Sequence, residues 1–331
     1  MIRKSLIALA VSTAVTAPAA HAVDFEISEE TRFSISGTLE PSYQNFTDST
    51  GDDVSEFADN DSTLQFDGTH AWNQNTTGFF HVEYEWQFDE SNNNGVDSLD
   101  SAWIGMKGDL GTLRLGTSDP LYEDQLPELL DKFENAELDN EAEGTTRSGE
   151  GNQIRYMTPR FGGFSAGVEL KVEGDAEGTV ANESGTGIAV TASYEADNWG
   201  VVAGADDRGA DTQENPNTGA TEFVDETTAG IGGWFDIADF HFAARFASES
   251  NSGSNNDIEY TGALGSYDYG PGSVNLAVQD VSPDTGDSRT QVAANVLHDV
   301  FDNLRVFVEV GRFDRQNDVG DRSEIGAIYS F

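Results

Sequence analysis

The sequence contains no cysteine, and this excludes a disulfide scaffold. Basic residues are also scarce, because 17 Lys and Arg stand against 60 Asp and Glu and leave a formal net charge of -43. A chain this acidic repels phosphate backbones, so a nucleic-acid partner is excluded. Proline is rare at 8 residues while glycine reaches 35, a balance that suits a twisted sheet with many turns rather than a disordered tail.

Long apolar runs are missing everywhere except at the N-terminus. There, Arg3 and Lys4 precede an apolar stretch over residues 6–17, and Ala20-His21-Ala22 forms a small-x-small cleavage signal. This pattern predicts a secretory signal peptide over residues 1–22 and an exported domain over residues 23–331. After Ala22 no run approaches the ~18 apolar residues that a membrane-spanning helix needs, which argues against a helical membrane protein.

Strict two-residue alternation of apolar and polar side chains fills the rest of the chain. The clearest case is residues 80–88, where Phe80, Val82 and Tyr84 alternate with His81, Glu83 and Glu85. Counting such segments gives about sixteen strands of roughly ten residues, long enough to cross a bilayer. Tight turns are expected near Asn73, Gly108, Thr158, Asp197, Ala238, Gly270 and Asp302. Longer acidic connections are expected near Asp48, Asn92, Thr117, Gly174, Ser250, Val281 and Asn317, and a polar loop over residues 206–226.

Connections that alternate between short and long are typical of a barrel inserted from one side of a membrane. The sequence therefore predicts an all-β fold: a closed antiparallel transmembrane β-barrel with short periplasmic turns and long extracellular loops. Closure also removes the unpaired strand edges that lipid cannot satisfy.

Between Thr117 and Gly151 the alternation stops, and the segment is strongly acidic. It carries eleven carboxylates against Lys132 and Arg147. A structureless connection of this length is uncommon unless it is functional. We expect it to fold into the bore of the barrel.

Three stretches resemble the Gram-negative general porins. Residues 103–116 match that family's strand-turn-strand before the constriction loop, and residues 152–165 match the segment after it. The C-terminal residues Ile325, Tyr329 and Phe331 resemble the assembly signal of outer-membrane barrels. The resemblance implies a homotrimeric diffusion channel whose third loop, about residues 117–151, narrows the pore. It also implies an outer-membrane location and recognition of the last strand by the barrel assembly machinery.

Alternation also assigns the side chains that face the lumen. Six basic side chains are next to apolar residues that face lipid, so alternation places these six inward. The inward position is also favourable, because a basic group in lipid near the midplane costs about 2 to 4 kcal/mol. The six are Arg32, Lys107, Arg114, Arg155, Arg245 and Arg305. Early loop acids opposite this wall would create a transverse field across the pore. They are Glu123, Asp124, Glu128 and Asp131.

Two departures from the family pattern reduce the number of basic side chains on the pore wall. The family often has arginine where this chain has Asp100 and Thr117. We therefore predict a preference for cations. The acidic surface suggests a marine or halophilic source and contacts with lipid and lipopolysaccharide through divalent cations.

Other functions have weaker support. Four histidines, His70, His81, His241 and His298, lack metal-ligand spacing, and Asp59–Asp61 and Asp284–Asp287 do not complete a calcium loop. We expect no metal, cofactor or enzymatic activity. Two alternatives stay open: a barrel lipase or protease with a Ser–His or Asp–His site at the rim, and a secreted acidic β-sandwich such as an adhesin.

Overall fold

A computed structural model describes residues 22–87, 96–139, 151–172, 186–214, 221–251 and 257–331. Except for Ala22, the predicted signal peptide lies outside these residues. The strands are β1 Val23–Glu26, β2 Thr31–Leu39, β3 Pro41–Thr47, β4 Asp53–Asp59, β5 Thr63–Asn73, β6 Thr76–Trp86, β7 Val96–Gly108, β8 Gly111–Ser118, β9 Gly151–Met157, β10 Phe164–Val172, β11 Thr186–Glu195, β12 Trp199–Glu214, β13 Thr221–Ile237, β14 Phe240–Asn251, β15 Ile258–Asp268, β16 Gly272–Pro283, β17 Arg289–Phe301, β18 Leu304–Arg312 and β19 Arg322–Ser330. Two short 3₁₀ helices cover Pro127–Leu129 and Gln316–Asp318. No helix of the described residues is long and apolar enough to cross a membrane.

The strands close into one antiparallel barrel of sixteen wall strands, as predicted. β2 continues into β3 and β4 into β5, so each of these pairs forms one interrupted wall strand. Every later strand pairs with the next, and β19 closes the cylinder on β3 and β2. Phe331 completes the seam because its N–H and C=O both hydrogen-bond the backbone of Gly37. β1 lies outside this count, beside the first half of β2.

Along the strands, the burial pattern is the reverse of that in a soluble sheet. Apolar side chains on the outer face are exposed, for example Ile104 at 63% and Ile231 at 58%, whereas Gln279 and Gln291 on the inner face are fully buried. Aromatic rings gather on the outside near the short turns, where Tyr194 lies between Phe164 and Trp199 at centroid distances of 4.7 and 5.3 Å. An apolar band with aromatic rings at its edge is the surface that a bilayer requires.

The predicted connections near Asn92 and Gly174 lie outside the described residues, and the others agree with the structure except in two regions. All seven predicted tight turns join consecutive strands. The predicted polar loop over residues 206–226 is wrong, because β12 continues to Glu214 and β13 begins at Thr221. The polar stretch 47–60 likewise contains β4. In both regions, backbone pairing extends the strands into sequence that has no regular apolar alternation.

Candidate pore constriction

The segment between β8 and β9 folds against the inner face of the barrel. Its described part, residues 119–139, carries an apolar row of Leu121, Tyr122 and Leu126, all almost fully buried. These side chains pack on Ala189 and Val202 of the wall. Farther along, Leu130 and Phe133 join a second apolar cluster that includes wall residues of β14 to β17. The loop therefore rests on one half of the wall, and residues 140–150 lie outside the described residues.

Glycines on the inner face make room for this row. A Cβ atom at Gly230 would lie 2.5 Å from Tyr122 Oη and 2.7 Å from Leu126 Cδ2. A Cβ atom at Gly262 would collide with Leu130 in the same way. Both glycines are in ordinary extended backbone, so their role is to permit close approach of the loop to the sheet.

Glu309 of β18 holds the far part of the loop. Its carboxylate accepts hydrogen bonds from the backbone N–H groups of Glu134, Asn135 and Ala136 at 2.9, 2.8 and 2.5 Å. Glu309 is almost fully buried. A charged acceptor shared by three successive N–H groups fixes the path of the backbone there.

Glu169 of β10 holds the start of the loop. It accepts a hydrogen bond from Leu121 N–H at 3.2 Å and forms an ion pair with Arg155 Nε at 2.5 Å. Arg155 also forms an ion pair with Asp124 and donates to the carbonyl of Asp119. Asp124 and Arg155 thus touch directly, on the same side of the lumen, instead of facing each other across water.

Asp139 holds the end of the described loop. Its carboxylate pairs with Arg289 Nη2 of β17 at 2.6 Å and with Arg315. Its backbone carbonyl accepts from Gln279 Nε2 at 2.5 Å. The loop is therefore attached to the wall at three places, each involving a buried charge.

The other early acids surround a recess of about 190 Å³ beside the loop. Its lining includes Glu123, Glu128 and Asp131, together with Asp119, Glu137 and Arg245. Burial, reinforced by the neighbouring carboxylates, raises the pKa of Glu128 to about 8. Burial also raises the pKa of Asp131. A recess with five carboxyl groups and one guanidinium attracts cations increasingly as the carboxyl groups ionise.

The remaining basic residues of the prediction occupy different surroundings. Arg114 donates to Ser118 Oγ at 2.5 Å and stacks over Trp103 at 5.1 Å. Arg245 contacts Gln279 at 2.9 Å, and Arg305 pairs with Asp299 at 2.7 Å. Lys107 and Arg32 lie near the short-turn ends of β7 and β2. Their partners on the neighbouring strands, Thr77 and Thr69, belong to the inner face, so Lys107 and Arg32 do as well.

Sequence reasoning missed the acidic residues of the wall. Glu169 and Glu309 alternate with outward-facing Val168 and Val308, so the same alternation that assigned the arginines also points to them. It also missed two Asp–His pairs between opposite residues of neighbouring strands, Asp67–His81 at 2.8 Å and Asp236–His241 at 2.7 Å. In the part of the chain that the structure describes, no group of three or more His, Cys, Asp or Glu is arranged to hold a metal ion.

The C-terminal residues lie on the outer face of the closing strand. Ile325 and Tyr329 are exposed there, whereas Phe331 is half-buried at the seam with Gly37. These positions give the last strand an apolar outer surface at the closing seam of the barrel.

Comparison with known proteins places this architecture in a family. Residues 6–318 match the family model of the Gram-negative porins. The chain belongs to this family. Two relatives from Halomonas, named a monosaccharide porin and a major outer membrane protein, are each 26% identical over 369 aligned positions, covering 99% of this chain and 100% of theirs. This porin is accordingly an outer-membrane channel for diffusion.

Solved structures share the fold at lower identity. The anion-selective porin from Comamonas acidovorans superposes with a TM-score of 0.74 at 18% identity, over 91% of this chain and 100% of that one. OmpF of Salmonella typhi, in complex with daunomycin, gives 0.71 at 18% identity, over 91% and 98%. A trimer form of OmpT from Vibrio cholerae gives 0.69 at 13% identity, over 92% and 100%.

Proposed function

We propose that this porin forms a water-filled channel for small hydrophilic solutes and ions, and that its constriction prefers cations. The observation that carries the proposal is the recess beside the loop, where five carboxylates outnumber the single guanidinium of Arg245. Permeating ions pass this lining after giving up part of their hydration, so its charge acts at close range. The monosaccharide porin among the relatives supports small sugars among the solutes.

The pairing pattern strengthens the preference for cations. Arg155, Arg289 and Arg315 each contact a loop carboxylate directly, which offsets their charge toward a passing anion. Glu123, Glu128 and Asp131 line the recess instead. The similarity to an anion-selective porin is at 18% identity and concerns the fold, so it does not decide the sign of the selectivity.

The test is the zero-current potential of the purified protein in a planar bilayer under a KCl gradient. We expect the sign that corresponds to cation preference. Neutralising Glu123, Asp124, Glu128 and Asp131 together to Gln or Asn should move the potential toward the anion side. As a control, neutralising Asp24, Glu26, Glu29 and Glu30 near β1 should leave the zero-current potential unchanged. An unchanged potential in the loop variant would reject the role of these four residues.

We further propose a homotrimer in the outer membrane of a marine or halophilic bacterium. The trimer form of OmpT and the Halomonas relatives support this reading. The acidic loops would bind lipopolysaccharide and lipid through divalent cations. The outer face of β19, with Ile325, Tyr329 and Phe331, would be read by the barrel assembly machinery. Cross-linking in native membranes tests the trimer, and a single subunit band would contradict it.

A further inference from the structure

Two adjoining recesses lie between the loop and the short-turn rim, and together we name them the under-loop chamber. One has a volume of about 380 Å³ and reaches the turns at Ala238 and Gly270. The other, of about 390 Å³, extends along the underside of the loop from Asp124 to Lys132. Lys132, Asp236 and His241 line both recesses. Each volume is in the range of small-molecule sites, about 300 to 1,000 Å³.

The chamber has an aromatic wall of indole and imidazole. Trp234 lines the second recess, and its ring stacks on His241 with the centroids 6.1 Å apart and the planes at 24°. Asp236 fixes His241 through Nδ1 at 2.7 Å. A flat, oriented indole beside polar groups offers an apolar surface to a solute that is apolar on one face and polar at its edge.

Two deeply buried polar residues of the first recess have incomplete hydrogen bonding. Arg305 Nη1 and Asn275 Oδ1 have no hydrogen-bond partner among the described residues. Asn275 is 1% exposed and Arg305 5% exposed. Their other atoms are fixed, since Arg305 Nε bonds Asp299 at 2.7 Å and Asn275 Nδ2 bonds Asn295 at 2.7 Å. Buried polar atoms of this kind normally find a partner in water or in a ligand.

The charges of the chamber are mixed. In the first recess Lys132 and Arg305 are basic, and Asp236, Asp239, Asp268 and Asp299 are acidic. The second recess adds Arg160 and the acidic residues Asp124, Glu128 and Glu195. Because Arg305 is paired with Asp299, Arg160 with Glu195 and His241 with Asp236, a simple ion does not match such a lining. A neutral solute with many hydroxyl groups does, because each hydroxyl both donates and accepts.

We propose that the under-loop chamber is a binding subsite for a neutral, ring-shaped polyhydroxylated solute of monosaccharide size. The apolar face of the sugar ring packs on Trp234, and its hydroxyl groups bond to Asp236 and Lys132. Asn275 and Arg305 lie three and five strands farther along the wall, ~14 and ~24 Å away, and extend the polar lining of the chamber beyond that ring. This inference rests on the proposed channel function and adds a site at which one solute class is retained during passage.

The test is single-channel recording in KCl with glucose added on the short-turn side. Wild-type current should fall saturably with glucose and less with sorbitol, an open-chain polyol that lacks the ring face. Trp234→Ala should raise the half-blocking glucose concentration about fivefold, and Trp234→Phe should restore part of the effect. Trp72→Ala, an outer-face tryptophan that is 57% exposed, is the matched control and should leave the block unchanged.

A second variant keeps the test independent of the packing of Trp234. Asp236→Asn preserves shape and should weaken the glucose block severalfold, whereas Asp197→Asn, in another short turn of the same rim, should not. Salt current without a saturable glucose effect in the wild type, or an unchanged block in both chamber variants, would overturn the subsite and leave the channel function intact. Absence of salt current altogether would overturn the channel function, and the subsite with it.

Discussion

Glu309 is the residue on which the position of the constriction most depends, because one buried carboxylate serves three backbone donors. Glu309→Gln keeps the shape but replaces a charged acceptor by a neutral amide that also carries an NH₂ group. We expect a loss of about 1–3 kcal/mol in the attachment of the loop. Single-channel conductance should become larger and noisier. Glu259→Gln, at an exposed position of β15, is the control, and equal effects of the two substitutions would contradict the anchoring role.

Protonation of Glu128 should make selectivity depend on pH. Its pKa in the folded protein is raised from 4.5 to about 8, so the folded state holds a proton that the unfolded chain releases. The resulting stabilisation is complete below pH 4.5 and is lost as pH rises through 8. In the same upper range the constriction gains a negative charge. Cation preference, measured as zero-current potential, should therefore increase from about pH 6 to about pH 9.

Glu128→Gln separates this group from other titrations. The variant should remove most of the pH dependence over that range while leaving the channel open. Burial also raises the pKa of Glu134 to about 7, so adding Glu134→Gln to Glu128→Gln should flatten the profile further. A full pH response in the double variant would exclude both carboxylates as its source.

At the scale of elements, the fit between the loop and the glycine positions of the wall decides where the pore narrows. Gly230→Ala places a methyl group against Tyr122 and Leu126, and we expect a cost of about 1–3 kcal/mol from overpacking. The loop should shift, and both thermal stability and conductance should change. Gly265→Ala is the matched control, since its methyl group would meet Phe242 at an ordinary 3.7 Å. Equal melting temperatures and conductances for the two variants would argue against close contact between the loop and Gly230.

Strands and loops also differ in how well the sequence predicted them. The hairpin of β7 and β8 was clear because apolar side chains must face lipid at every second position. The extensions of β12 and β13 beyond Asp206 were not, because there the ladder hydrogen bonds stabilise the strands without any apolar period. Apolar and polar residues alternate only where the two faces of a strand have different surroundings. The pattern therefore cannot reveal a strand that has water on both faces.

At the scale of the whole molecule, the formal charge of -43 sets a diffuse field around the pore. The Debye length shrinks from ~10 Å at 0.1 M salt to ~3 Å at 1 M, so distant acids lose influence first. We expect cation preference to decrease as KCl rises over this range and to level off at a value set by the constriction. Neutralising Glu123, Asp124, Glu128 and Asp131 should abolish that residual at 1 M and leave part of the low-salt preference. A salt-independent selectivity would contradict the role of the surface charge.

The sequence by itself determined the barrel, its sixteen strands, the two unlike rims and the one long acidic insertion, because each of these follows from which side chains face lipid, lumen or water. Only the tertiary structure decided which charges meet. Asp124 contacts Arg155 rather than facing it across the pore, and Glu309 receives a loop that begins about half the chain away. Alternation fixes the face of a strand but not how a loop crosses a closed cylinder. That path depends on which wall positions have no side chain, such as Gly230 and Gly262 beneath the loop.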